Sequence, residues 1–249
     1  MMSWIMIGFI LFFVLLIALA VLLKITKVVF KILLVLSTLT LLLVVGFGIL
    51  IFNDFKEFSK NAYDSVYYLS RGNHSLIAGF SINPNTKQVA HVENDELKRL
   101  SVDYKNKNYS AILRGHYKIF IVDADFLAGI NKSVKLFEEQ ASFSDMISCT
   151  ELEEDNELKS CISKFINKEE AELIMKENME IRDILFEAVM SEVLSKYPYL
   201  MIEGISSHKI KVYPETPMFI AMKMVPTSLL RQVISKNLKA EAQTFIKKT

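Results

Sequence analysis

The sequence predicts an α+β fold, with an N-terminal two-helix transmembrane hairpin followed by one soluble domain built on a small, mainly antiparallel sheet. Three observations carry this reading. Two uncharged apolar runs, residues 1–23 and 32–52, open the chain. The octet between them, residues 24–31, holds Lys24, Lys27 and Lys31 and no acid. Beyond Phe52, short β-branched or alternating runs interleave with stretches of helical period.

Each apolar run is long enough to cross a bilayer, since about 20 helical residues rising ~1.5 Å each span the ~30 Å hydrocarbon layer. The expected helices are 3–23 and 32–52, with 24–31 as a basic loop. A cleaved signal peptide ending at Ala18-Leu19-Ala20 is the weaker reading, because the first run is long and lacks a basic n-region. Ser37, Thr38 and Thr40 are expected to bond back to backbone carbonyls or across to the first helix.

Three of the 29 basic residues lie in the octet and all 28 acidic ones lie beyond Phe52, leaving 26 basic against 28 acidic residues in the rest of the chain. A near-neutral domain has no general attraction to nucleic acid, so no nucleic-acid partner is expected. The lipid bilayer and an envelope or membrane protein are the expected partners, and no cofactor is.

The lysine-rich octet favours a cytoplasmic loop, which puts the domain outside the cytoplasm at a cell membrane. Three N-glycosylation sequons, at Asn73, Asn108 and Asn131, point the same way. So do Cys149 and Cys161, the sole cysteines, if an oxidising compartment joins them; the competing reading is two reduced, buried thiols. Closing that short loop would restrict the unfolded chain by about 3 kcal/mol in the entropy treatment.

Along the chain, residues 53–72 are read as a helical stalk, because Phe55, Phe58, Ala62, Val66 and Leu69 recur at helical spacing before Gly72. Residues 73–249 form the domain. Residues 75–82 form a strand closed by the turn residues 83–86, and 88–92 are its partner. A short helix follows over 93–104. Residues 116–122, His-Tyr-Lys-Ile-Phe-Ile-Val, are the strongest strand. Phe126, Leu127, Ile130, Val134 and Phe137 follow a helical period, and 142–167 reads as broken helix.

The longest domain helix is expected over 168–197, opened by Asn167 with Glu170 and stopped by Pro198, with Ile181, Ile184, Leu185, Ala188, Val189 and Val193 as its buried stripe. Residues 207–213 and 218–225 read as strands of a hairpin-like pair around Pro214 and Pro217. Thr227 or Ser228 caps a last helix.

One local pattern carries chemistry. An apolar strand, 119–122, ends in Asp123-Ala124-Asp125, placing two carboxylates at a strand tip where they can share a divalent cation. The motif resembles the metal-binding motif of nucleotide-sugar glycosyltransferases and, less closely, the nucleophile strand of haloacid-dehalogenase-like phosphatases. It departs from the latter at Phe126, and only about 50 residues precede it in the domain, too few for the usual nucleotide-binding half of the former. The competing reading is that Asp123 or Asp125 caps the next helix.

The acids at 151–157 lack the spacing of a calcium loop, and the four histidines form no zinc motif, so no metal site is expected. The expected function is a membrane-anchored, non-catalytic binding, assembly or structural module of the cell envelope. The alternatives are a metal-dependent membrane-tethered enzyme using Asp123 and Asp125, and a cytoplasm-facing anchor for a larger complex.

Overall fold

The computed structural model describes residues 2–226 apart from 73, 84, 87, 137, 138, 153 and 166–180. The chain divides between Phe52 and Asn53 into two units. The first is helix throughout. α1 covers Met2–Asn61, 60 residues without interruption, and its last turns belong to the second unit. The expected hairpin is thereby corrected, since residues 24–31 are helix and no turn separates the two apolar runs. The octet contains no Gly, Pro or Asn to stop a helix, and lysine is a good helix former. Thr38 Oγ1 and Thr40 Oγ1 donate back to the Leu34 and Leu36 carbonyls, at 2.8 Å each, so neither hydroxyl goes unbonded on an apolar helix.

The second unit is a mixed α+β domain. Its strands are β1 (Ser65–Arg71), β2 (Ser75–Ile82), β3 (Val89–His91), β4 (Lys118–Asp123), β5 (Ser133–Leu136), β6 (Glu139–Ser142) and β7 (Ile210–Tyr213). Five of them form one sheet in the order β3-β2-β1-β4-β7, while β5 and β6 pair separately. In that sheet β1 and β4 run parallel and the other three pairings are antiparallel. The sheet is therefore mixed. The helices after α1 are α2 (Asn94–Lys105), α3 (Tyr109–Leu113), α4 (Ala124–Ala128), α5 (Phe143–Thr150), α6 (Asp155–Ile162), α7 (Ile181–Lys196), α8 (Pro198–Ser206) and α9 (Pro217–Met224).

Both faces of the sheet are buried, which explains why β1 and β4 read as nearly continuous apolar runs. On one face Val66, Tyr68, Ile119 and Ile121 meet Leu97, Leu100 and Tyr104 of α2 and Ile112 of α3. On the other, Phe80, Tyr67 and Phe120 stack across three neighbouring strands, with ring centroids 5.2 Å and 5.1 Å apart. This aromatic ladder is covered edge-on by Phe186 of α7, Phe58 of α1 and Phe219 of α9. Aromatic pairs in such tilted and stacked geometries add about 0.5–1.5 kcal/mol each beyond the area they bury.

Gly79 makes close packing possible in β2, because a Cβ there would lie 2.8 Å from the Tyr68 ring. Its N–H donates to Asp183 Oδ1 of α7 at 2.7 Å. A carboxylate from α7 thus takes up the β2 edge where β3 leaves it.

Three further expectations are corrected. The stalk helix ends at Asn61 and residues 65–71 are β1, because Val66, Tyr67, Tyr68 and Leu69 are buried on alternate sides, which a strand between two layers allows. The helical period at 126–137 stops after five residues at Gly129, and Val134 and Leu136 are the inward residues of β5. Residues 217–224 are a helix, not a strand. Pro217 occupies the first helical position, and Met and Ala favour helix. β7 accordingly pairs with β4 and not with that segment.

Cys149 of α5 and Cys161 of α6 form a disulfide, with Cα atoms 5.8 Å apart. Pro198 stops α7 as expected and begins α8. The expected start at Asn167 with Glu170, the last helix from Thr227 or Ser228, and Asn73 lie outside the described residues.

Candidate functional site

Asp123 and Asp125 stand at the tip of β4, but the structure employs Asp123 elsewhere. Its Oδ1 accepts the Asp125 N–H at 3.0 Å, capping α4, and its Oδ2 accepts from Lys209 Nζ at 3.1 Å. Asp125 lies in the exposed first turn of α4. Asp103, a further acid that could have joined them, accepts from Asn108 Nδ2. Among the described residues no three His, Cys, Asp or Glu side chains gather as a metal site would require. Asn108 and Asn131 are exposed.

The polar side chains that do converge lie at the opposite end of the strands. A cleft of about 410 Å³ opens between β1, β2, β3, α2 and the loop from α3 to β4. Its walls are Val66, Tyr68, Ser81, His91, Val92, Glu96, Arg114 and His116. The turn at Arg114 and Gly115 builds one side. Arg114 has φ +48° and Gly115 φ +84°. The left-handed region costs a non-glycine residue roughly 1–2 kcal/mol, and here it brings the guanidinium to the Glu96 carboxylate, with which it pairs.

His116 Nδ1 meets Asp64 Oδ1 at 3.1 Å, and His91 Nε2 meets Glu187 Oε2 of α7 at 2.8 Å. Each basic side chain of the cleft therefore has its own carboxylate partner. The hydrogen bond that His91 makes to the Glu187 carboxylate raises its pKa, burial opposes the rise, and the charges of Asp183 and Glu187 reinforce it. Burial pushes the Tyr68 hydroxyl up to about 12, against the pull of Arg114. Tyr68 is thus a neutral hydrogen-bonding group at any physiological pH. Chemically, the cleft is a preorganised polar surface with an arginine fork, suited to a ligand carboxylate or phosphate that takes the place of Glu96.

The His91–Glu187 pair makes stability depend on pH. The folded-state pKa of His91 lies above its ordinary 6.5, so the pair's contribution is complete below that value and fades as pH rises through the folded value. We expect His91→Gln to lower Tm more at about pH 5 than at about pH 8.5. An equal loss at both pH values in a thermal scan would contradict the pairing.

A smaller hollow of about 160 Å³ lies beside β7, lined by Tyr109, Tyr213, Lys211 and Glu215 among others. Lys211 Nζ there donates to the Tyr104 hydroxyl at 2.8 Å. Among the described residues one helix, Thr26–Asn61, is long and apolar enough to cross a membrane, with a mean hydropathy of 2.7.

None of the cleft residues was marked by a sequence motif. They come from five separate segments, and the pairing of β1 with β4 and of β2 with β3 brings them together. Comparison with protein families, with characterised proteins and with solved structures gives no significant match for this chain.

Proposed function

We propose that this chain is a membrane-anchored binding module of the cell envelope. In this reading α1 is the anchor, the mixed α+β domain lies outside the cytoplasm, and the cleft around Arg114 holds a ligand or partner segment carrying a carboxylate or phosphate. The observation that carries the binding role is the convergence of Arg114, His91, His116, Tyr68 and Ser81 on one open cleft. Arg114, His91 and His116 are each held by a carboxylate, a fixed arrangement that suits recognition.

Orientation follows from Lys24, Lys27 and Lys31, which hold the octet in the cytoplasm. A crossing by residues 32–52 then delivers the domain to the other side, whether or not the first run also enters the bilayer. The Cys149–Cys161 disulfide and the exposed sequons at Asn108 and Asn131 favour the same side.

Photo-crosslinking in intact cells tests the binding role. A benzophenone amino acid at Ser81 should give a discrete adduct that Arg114→Ala removes, and the same group at Val102, on the exposed side of α2, should give none. No adduct at Ser81, or one indifferent to Arg114→Ala, would overturn the assignment of the cleft.

A further inference from the structure

The joint between α1 and the domain is built from α9. Asp54 of α1 is buried, and its Oδ2 accepts the Met218 N–H of α9 at 2.7 Å. This bond supplies the cap that Thr216 does not give through its own side chain. Phe58 and Phe219 meet edge to face beside it, with centroids 5.5 Å apart. Met218 and Phe219 face inward, whereas Ile220 and Met224 are 38% and 71% exposed. Phe55 and Tyr63, just before and just after the end of α1, are exposed too. Lys223, the cation of α9, is paired with Glu215.

The position of this apolar group along the chain decides what covers it. Asp54 is two residues past Phe52, where the apolar run 32–52 ends. Two residues of chain reach no further than ~7 Å. The headgroup layer on each side of a bilayer is about 5–8 Å deep. Where residues 32–52 cross a membrane, the start of α9 is therefore held at headgroup depth by its bond to Asp54. A short helix there with exposed Ile and Met, next along the chain to the exposed Phe55 beside Asp54, has the composition of an interfacial element.

We propose that α9, with Phe55, forms a lipid-contacting platform that seats the domain on the membrane surface. The surface it takes is the headgroup–acyl boundary of the bilayer. Recognition is by apolar insertion and not by charge, since Lys223 is already neutralised by Glu215. The proposal rests on the reading that residues 32–52 span the membrane, and its test separates the two.

The full chain is placed in phosphatidylcholine vesicles with a single introduced cysteine at Leu43, Met224 or Val102, each carrying an environment-sensitive fluorophore. No free thiol competes, because Cys149 and Cys161 are joined. Nitroxide-labelled lipids should quench the labels at Leu43 and Met224, with Met224 responding most to a headgroup-level nitroxide. Val102, 61% exposed on α2, should respond only to aqueous iodide. If Leu43 is quenched while Met224 behaves like Val102, the platform is wrong and the anchor stands. If Met224 is shielded from both lipid and iodide, protein covers α9 and the proposal fails. Should Leu43 itself escape lipid quenching, the anchor reading fails and the platform with it.

Discussion

Phe120→Ala should cost about 3–5 kcal/mol, the largest effect expected of any single truncation in the domain. Phe120 is almost wholly buried on β4 and touches three aromatic neighbours, Tyr67, Phe58 and Phe219, with Phe80 stacked on the far side of Tyr67. Its removal opens a cavity between the sheet and the ends of α1 and α9, and those rings are held by backbone that cannot follow. For a domain of this size the loss corresponds to a fall of roughly 6–20 °C in Tm. Thermal unfolding of the full chain in detergent, followed by near-ultraviolet dichroism, checks it. A change of only a degree or two would mean that the ladder does not carry the core.

Leu185→Ala should cost about 2–5 kcal/mol by the same mechanism on the α7 side. Leu185 is fully buried, together with Phe186, Val189, Met190 and Val193, so α7 covers the sheet with a closed stripe. The loss is a large share of the ~5–15 kcal/mol that holds a typical domain folded. Denaturant titration should show a lower midpoint with an unchanged slope. Unchanged stability combined with loss of a native membrane complex would instead make the stripe a binding surface.

What could be read from the sequence was local. The run 116–122 was the strongest expected strand, and β4 takes it up from Lys118 onward. The short helix expected over 93–104 is α2, and the turn residues after Ile82 separated β2 from β3. Of the expected stripe of α7, Leu185, Val189 and Val193 are buried and Ile181, Ile184 and Ala188 only half-buried, while Phe186, Met190 and Asp183 were not foreseen. Asp183 is a buried acid whose place depends on the Gly79 N–H far away in sequence.

What escaped depends on distant partners. Nothing in 65–71 alone distinguishes a helical continuation from a central strand, because the decisive fact is burial between α2 and the aromatic ladder. Met218, Met222 and Met224 satisfy a period of two, yet Asp54 caps the segment as a helix across 164 residues of sequence. At the β4 tip, the Asp-x-Asp pattern was correctly placed at a strand end, but Lys209, the partner that occupies Asp123, comes from the approach to β7. The cleft was invisible for the same reason: His91 finds Glu187 across 96 residues, and His116 finds Asp64 across 52.

The central claim is that α1 holds this domain on the outer side of a membrane. A cysteine placed at Val102, exposed on α2, reports the side directly, since the natural cysteines are joined to each other. A membrane-impermeant thiol reagent applied to intact cells should label that variant fully, with no gain after permeabilisation. A cysteine replacing Thr26, in the basic octet, should label only once the membrane is opened. The reverse pattern, Val102 protected and residue 26 accessible, would place the domain in the cytoplasm and contradict the account.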